Sequence, residues 1–369
     1  MRRRYHFHPP GLLYLAMVVA VGAAAVHRPG NLLIWVFAAL LSGVMLSGVL
    51  SGQPLMSVRA ARSVPRTARV GEPLSVRYSV ANGSRLWPLF AIFVREEGGP
   101  AAPRAFLRHV GPGRGAEAES VRWPERRGTL RFGAMRVESV FPFGLLGKSV
   151  RFEEAAECLV LPRVVPLRRG ALESLAGGPL PGPTTTGRPG PGSDFLGIRE
   201  YRPGDSLRHV AWRRSASGGP LAVIERSVDA PRRVRVAVDL RRATAALAAP
   251  AGGPAARELE EQAISLAASI LSRAQQDGFE TLLAVLGLPS PVMPARRGHG
   301  HLQRQLASLA ALDLDAARDP SAGLEPAGGR AVTFLVQPVA DPGAGAPDAV
   351  PLAASALDSL REEPQGGPA

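Results

Sequence analysis

Two long stretches without a charged side chain lie at the start of the chain. They cover residues 11–26 and 31–50, and a short polar break, His27–Gly30, separates them. At about 1.5 Å per residue, the second stretch forms a helix of about 30 Å, which is the thickness of a bilayer core. The pattern predicts a transmembrane hairpin within residues 1–56, with helices at about 11–26 and 31–50.

Arginines flank the predicted hairpin asymmetrically. The connection holds only Arg28, whereas seven arginines lie outside the two stretches: Arg2, Arg3, Arg4, Arg59, Arg62, Arg66 and Arg69. The positive-inside rule then places both termini and the later domains in the cytoplasm. A signal peptide cleaved near Ala23–Ala25 is the competing interpretation, and a pair of buried core helices is another.

The chain changes to a strand-like pattern after the hairpin. Residues 74–80 alternate apolar and polar positions, which is the period of a half-buried strand. Further short apolar runs at 89–94, 129–132, 135–140 and 158–161 are separated by Gly and Pro. This spacing predicts a small antiparallel β-sandwich over residues 57–165.

A stretch within this segment, Gly144–Ser149, ends like a phosphate-binding loop and contains Lys148, the single lysine. Such a loop requires a glycine where Pro142 stands, and it joins a strand to a helix. Here the stretch lies between strand candidates, so we predict a turn after residues 141–143.

Gly- and Pro-rich residues 166–192 predict a linker that forms no packed element. After it, strand patterns alternate with amphipathic helix patterns, which predicts a mainly parallel sheet in an α/β domain. The strands are expected at 234–239, 281–286 and 331–336, and the helices at 255–276 and 301–312. Residues 338–369 lose this periodicity, so we predict a mostly disordered acidic tail, in which residues 353–360 could form a short helix.

The most informative motif lies between the linker and the first of these strands, in residues 193–216. Pro203-Gly204 predicts a turn, and an Arg–Asp pair such as Arg208–Asp205 would close it. The motif residues singled out are Arg199, Tyr201, Pro203, Gly204, Asp205, Arg208, Trp212 and Ser215. Three interpretations remain open: a structural staple, a surface that docks a partner, and a catalytic site.

This motif, the turn after Phe141 and the hairpin together resemble the bacterial domain of unknown function family 58 (DUF58), over roughly residues 10–340. The resemblance implies a bacterial inner-membrane protein, with a von Willebrand factor A-like (Rossmann-type) domain within residues 193–337. It also implies a MoxR-type AAA+ ATPase as partner, in envelope or complex-assembly processes. The fold class predicted is thus a membrane-anchored α+β chain.

Von Willebrand factor A domains often bind Mg²⁺ through Asp-x-Ser-x-Ser, and the resemblance places Asp239 at the start of that motif. The two serine positions hold Arg241 and Ala243, which cannot ligate a hard cation. We therefore predict a degenerate metal site and neither a metal nor another cofactor. Arg241 would pair with Asp239, receive a carboxylate from a partner, or remain solvated. A second departure is Ala211, where the family usually has Asp.

Composition limits the disulfide and metal sites that the chain could form. The 369 residues carry a formal net charge of +13 and include a single cysteine, Cys158. One cysteine excludes an intramolecular disulfide framework, and we expect Cys158 to be buried. His299 and His301 are expected in a helix-entry loop rather than in a metal site.

The function predicted is that of a non-enzymatic, membrane-anchored adaptor that binds protein partners and the lipid bilayer. A hydrolase of unknown substrate is the alternative. A nucleic-acid-binding protein is the third possibility, but Glu200, Asp205, Glu225 and Asp229 interrupt the arginines, so no nucleic acid is expected.

Overall fold

The computed structural model describes residues 2–7, 9–27, 30–52, 54–97, 104–180, 184–189, 195–216, 218–230, 232–244, 255–291, 293–325, 331–341 and 349–361. The chain divides into two compact units, Met1–Leu161 and Pro162–Ala369. Each unit is described by itself.

The first unit contains the predicted pair of apolar helices near its start. Helix α1 spans Pro9–His27 and α2 spans Asn31–Gly52. Among the described residues, these are two helices long and apolar enough to cross a membrane. The Tyr14 hydroxyl donates a hydrogen bond to the Leu40 carbonyl oxygen at 3.1 Å, which joins the two helices.

Eleven strands of the first unit lie within the described residues and form three sheets. They are β1 Arg2–Phe7, β2 Val58–Ser63, β3 Thr67–Arg69, β4 Leu74–Asn82, β5 Leu89–Glu96, β6 Arg104–Val110, β7 Gly115–Arg122, β8 Gly128–Phe132, β9 Met135–Ser139, β10 Leu146–Phe152 and β11 Ala156–Leu161. Their orders are β1-β10-β9-β5-β6, β2-β4-β7 and β3-β11-β8.

The three sheets share one hydrophobic core, in which alternate residues of β4, including Val76 and Tyr78, are fully buried. Cys158 belongs to this core, as expected, and burial raises the pKa of its thiol. The predicted antiparallel pairing holds for most strands. It fails for β3 and β11, which are parallel. The segment predicted as a small β-sandwich is built from three sheets among the described residues.

A buried ion pair crosses this core. Nη1 of Arg62 lies 2.5 Å from Oε2 of Glu96, and the Tyr78 hydroxyl donates to Oε1 of Glu96 at 2.9 Å. Burial raises the pKa of Tyr78 to about 12, and the Glu96 carboxylate adds to the rise. Arg62, one of the arginines counted for the orientation of the hairpin, is therefore a core residue.

The second unit is α/β. Its described strands are β12 Thr184–Pro189, β13 Phe195–Glu200, β14 Ala222–Ala230, β15 Arg233–Asp239, β16 Glu280–Leu286, β17 Ala331–Gln337 and β18 Ala349–Ala353. Its helices are α3 Ala171–Leu175, α4 Trp212–Ser215, α5 Ala256–Gln276, α6 His299–Ala311 and α7 Ala356–Leu360. Strands β12, β14 and β13 form an antiparallel sheet, and β16-β15-β17-β18 form a parallel one.

The parallel sheet is built as the sequence predicts. Strand β15 is buried along almost its whole length, because helices cover a parallel sheet of this kind. The apolar stripe of α5, which includes Ile264 and Leu271, is fully buried, and α5 packs on β15, β16 and β17. A parallel sheet with helices is consistent with a von Willebrand factor A-like domain.

Two predictions about irregular segments are wrong. The Gly- and Pro-rich linker at 166–192 contains α3, in which Leu172 is fully buried, and β12, which pairs with β14. Residues 349–361 of the predicted disordered tail contain β18 and α7. Strand β18 lies at the sheet edge, where Pro351 is tolerated because one side needs no ladder hydrogen bond. The short helix predicted within this tail, at 353–360, is confirmed by α7.

Candidate functional site

The motif after the linker folds around Arg199, near the end of β13. Its guanidinium donates to both carboxylate oxygens of Asp205, at 2.6 and 2.8 Å, and to Oε1 of Glu225 on β14 at 2.7 Å. A bidentate pair with a third charged partner fixes the planar guanidinium in orientation as well as in position. Arg199 therefore ties the turn to the neighbouring strand.

Asp205 completes the turn from its other side. Its Oδ2 accepts a hydrogen bond from the backbone N–H of Arg202 at 2.8 Å, and its own N–H donates to the Arg202 carbonyl at 3.0 Å. Hydrogen bonds from Arg199, and then the one from the Arg202 backbone, lower the pKa of Asp205 to about 2. Gly204 has φ +105°, a backbone conformation that side chains with a Cβ rarely adopt.

This geometry corrects the partner expected for Asp205. The predicted pair was Arg208–Asp205, but the carboxylate is held by Arg199, and the Arg208 side chain is exposed. The reason is that Arg199 is on a strand whose register is set by β14, whereas Arg208 is on a single 3-10 turn, Leu207–His209.

Residues after the turn are fastened to β14 through the backbone. The N–H of Tyr201 donates to the Leu221 carbonyl at 2.7 Å, and the N–H of Ala211 donates to the Ala222 carbonyl at 2.8 Å. The Ser215 hydroxyl oxygen accepts from the Ala222 N–H at 3.0 Å. Ser215 thus has a clear positioning contact at the start of β14.

This fastened segment exposes both apolar and basic side chains to solvent. Leu207 and Trp212 are each 62% exposed, and Leu221, the residue just before β14, is also exposed. Three exposed arginines accompany them: Arg208, Arg213 and Arg214. We call these six residues the motif surface.

The carboxyl ends of β15 and β17 form a second candidate site. The chain leaves β15 for β16 on one side and returns to β17 on the other, so the connections diverge between β15 and β17. In open α/β sheets this switch point is where ligands bind. Asp239 ends β15 and Gln337 ends β17, and Nε2 of Gln337 lies 3.4 Å from Oδ2 of Asp239.

The guanidinium of Arg241 forms a bidentate ion pair with the carboxylate of Asp239. Its Nε donates to Oδ1 at 2.9 Å and its Nη2 to Oδ2 at 2.8 Å. Burial alone would raise the pKa of Asp239, but the hydrogen bonds from Arg241 outweigh it, and the pKa lies below its ordinary value. Of the arrangements considered for Arg241, the structure has the pair with Asp239.

These residues do not fit a divalent cation. A hard cation needs several free oxygen ligands, and both oxygens of Asp239 accept from a guanidinium that would itself repel the ion. Among the described residues, no group of three His, Cys, Asp or Glu side chains could hold a metal. His301 is buried on α6 with Nε2 3.0 Å from the Thr281 carbonyl oxygen, so it lies in a helix rather than in an entry loop.

A buried ion pair that the sequence analysis missed supports the loop after β15. Nη2 of Arg318 donates to Oε1 of Glu260 at 2.9 Å, and Nη1 donates to the Arg242 carbonyl at 3.0 Å. The same oxygen of Glu260 accepts from the Thr244 N–H at 3.1 Å. The two partners are 58 residues apart, so no local pattern reveals them.

Residues 197–336 match the DUF58 family, described as a protein of unknown function. The matched region includes Arg199, Asp205 and Glu225 of the first candidate site and Asp239 and Arg241 of the second, and it ends one residue before Gln337. The chain is also 24% identical over 320 residues to the uncharacterized protein YeaD of Bacillus subtilis (strain 168), covering 84% of this chain and 76% of that protein.

Two solved structures show weaker likeness. The CARDB domain of a Pyrococcus furiosus protein is 14% identical and covers 28% of this chain and 94% of its own, with a TM-score of 0.21. A β-glucosidase from Listeria innocua, in complex with gluconolactone, is 16% identical and covers 28% of this chain and 16% of its own, with a TM-score of 0.17.

Proposed function

We propose that this protein is a non-enzymatic adaptor, anchored in the bacterial inner membrane, that binds a protein partner through its von Willebrand factor A-like domain. The partner proposed is a MoxR-type AAA+ ATPase, in envelope or complex-assembly processes. The DUF58 match supports the family but assigns it no activity, so the proposal depends on the geometry of the sites.

The anchor in this proposal is the helix pair α1 and α2. Each is long and apolar enough to cross a bilayer, and α2, with 22 residues, is about 33 Å long at 1.5 Å per residue. The arginines outside the hairpin favour a cytoplasmic position for both termini. The DUF58 region would then face the cytoplasm, where an ATPase is available.

The observation that carries the proposal is the motif surface. A large aromatic side chain, Trp212, is 62% exposed on a segment whose backbone and turn are held by Arg199, Asp205 and Ser215. A rigid support lowers the entropy lost on binding, because the exposed residues are already placed. Such a support for solvent-exposed apolar residues favours a docking surface over a purely structural staple.

The residue types of the motif surface indicate the kind of partner. Tryptophan and arginine are enriched among the residues that dominate protein–protein binding energies. Arg208 follows Leu207 in the sequence, Arg213 and Arg214 follow Trp212, and all three arginines are exposed. The complementary surface would therefore offer an apolar pocket with carboxylates around it.

In this proposal, the pair of Asp239 and Arg241 means that the switch point does not bind a partner through a metal ion, as it would in a metal-dependent domain. With its carboxylate held by Arg241, the site would not recruit a partner through a shared cation. Binding would then be insensitive to chelators, unlike metal-bridged adhesion.

Co-purification of the full chain from detergent extract, followed by mass spectrometry, tests the proposal. We expect wild type to recover a MoxR-type ATPase and Trp212→Ala to recover at least about tenfold less, as for a central binding residue. Trp123→Ala is the matched control, since Trp123 is 60% exposed in the other unit. Equal recovery with Trp212→Ala, or no such ATPase with wild type, contradicts the proposal.

A further inference from the structure

We propose that one end of the first unit's β-structure rests on the bilayer, with Leu86, Trp87 and Phe143 inserted into the membrane interface. The inference rests on the proposed membrane anchor. Three turns would form the contact, and we call them the membrane-facing turns: residues 83–88, 111–114 and 141–145.

Strand register brings these turns to one end of the unit. In the five-stranded sheet, Phe7 pairs with Leu146, Lys148 with Ser139, and Leu89 with Val110. In the second sheet, Val58 pairs with Asn82 and Ala81 with Gly115. The strand ends next to the three turns therefore lie together.

The same end is joined to the helices that would span the membrane. The N–H of Gly83 donates to the carbonyl of Ser57, at the end of the 3-10 turn that follows α2, at 3.1 Å. Nζ of Lys148 donates to the Gly48 carbonyl in the last turns of α2 at 3.0 Å. A hairpin puts the start of α1 and the end of α2 on one side of a bilayer, so this end faces that side.

The first turn of α1 contacts the same end through a glycine. A Cβ at Gly11 would clash with the Leu145 carbonyl oxygen, so the turn at 141–145 approaches the helix backbone more closely than a side chain allows. Phe143, two residues earlier in the turn, is nevertheless 55% exposed.

The turns themselves are held by Asn82, which is buried. Its side-chain nitrogen donates to the Trp87 carbonyl at 2.8 Å and to the Val110 carbonyl at 3.2 Å. The N–H of Gly113 donates to the Ser84 carbonyl at 2.9 Å, which joins the turns at 83–88 and 111–114. Leu86 is 82% exposed on this rigid support.

The chemistry of the turns fits a lipid surface. Tryptophan and phenylalanine side chains suit the boundary between headgroups and acyl chains. The membrane-facing turns contain no Asp or Glu, whereas they contain Arg85 and Arg114, which are exposed. Both charges would be attracted to the anionic lipids of a cytoplasmic leaflet.

Depth measurements on the full chain in nanodiscs of phosphatidylcholine and phosphatidylglycerol test the inference. In a Cys158→Ala background, single cysteines at Leu86, Phe143, Trp123 and Leu41 would carry a fluorescent label, with nitroxide lipids as quenchers. Trp123 is the matched control, because it follows β7, whose eight residues put it about 25 Å from the membrane-facing end. Leu41 reports on α2 itself.

We expect a nitroxide near the glycerol backbone to quench the labels at 86 and 143 several-fold more strongly than the label at 123. A nitroxide at the bilayer centre should quench the label at 41. If 41 is quenched but 86 and 143 behave like 123, the interfacial contact is overturned while the anchor stands. If 41 is not quenched, the anchor itself fails, and the inference fails with it.

Discussion

Arg241 holds both carboxylate oxygens of Asp239, through Nε at 2.9 Å and Nη2 at 2.8 Å, at the carboxyl end of the first parallel strand. Asp239 is 8% exposed, so this guanidinium compensates a charge that is largely removed from water. The arrangement is an internal ion pair that engages both carboxylate oxygens of Asp239. The contribution of this ion pair to the free energy of unfolding is measurable, because a buried carboxylate that loses its partner destabilises the fold.

Arg241→Ala should destabilise the fold by about 1–3 kcal/mol, the cost of leaving a buried polar group without its partner. The double variant Asp239→Asn/Arg241→Ala should lose less than the sum of the two single variants, since both act on one pair. Chemical unfolding of the full chain in detergent micelles measures each value. Arg242→Ala is the control, because that side chain is exposed in its ion pair with Asp341. Equal losses for Arg241→Ala and Arg242→Ala would refute the argument.

The pair of Glu260 and Arg318 should matter more than any exposed ion pair of the same unit. Arg318→Met leaves the Glu260 carboxylate, itself 5% exposed, without its charge partner, and we expect a loss of about 3 kcal/mol. Glu261→Gln, in the partly exposed ion pair with Arg257 on α5, should change stability by less than about 1 kcal/mol. Chemical unfolding in detergent micelles measures both variants. A loss for Arg318→Met as small as that for Glu261→Gln would show that this pair does not stabilise the loop after β15.

The stabilising effect of Asp205 should depend on pH in a defined direction. Its pKa is about 2 in the folded protein and about 4 in an unfolded chain, so its contribution is complete above pH 4 and is lost as pH falls toward 2. The difference in melting temperature between wild type and Asp205→Asn should therefore shrink over this window. Glu125→Gln, on an exposed loop, serves as the control. A difference that is constant from pH 5 to pH 2 would contradict the assignment.

Periodicity was sufficient to predict several of the regular elements. The alternation at 74–80 and the apolar runs at 234–239 and 331–336 are strands in the structure, because one or both faces of each strand are buried. Helices α5 and α6 begin within two residues of their predicted starts for the same reason.

Pairings between distant segments could not be predicted from local patterns. Strand β1 pairs with β10, about 145 residues away, and Arg62 pairs with Glu96 across the core. The burial of Arg62 was not predicted, because a positive charge beside a hydrophobic helix is typical of a topology signal and nothing local shows its buried partner.

The candidate site was predicted in residue type but not in partner. The motif pointed to an Arg–Asp pair at the turn, and the structure supplies Arg199 instead of Arg208 because strand register, not nearness in sequence, sets the approach. Glu225 completes the site from 26 residues away. Tertiary contacts of this kind can be identified only in the folded structure, and the same is true of the exposure of Trp212.

Site-specific photo-crosslinking in the native host cell tests the central claim most directly. A photoreactive phenylalanine at Trp212 or Leu207 of the full chain would report which molecule contacts the motif surface, with Trp123 as the control position. The account predicts adducts with a MoxR-type ATPase from positions 207 and 212 that are absent from position 123. Adducts with that ATPase from 123 alone, or from none of the three positions, would contradict it.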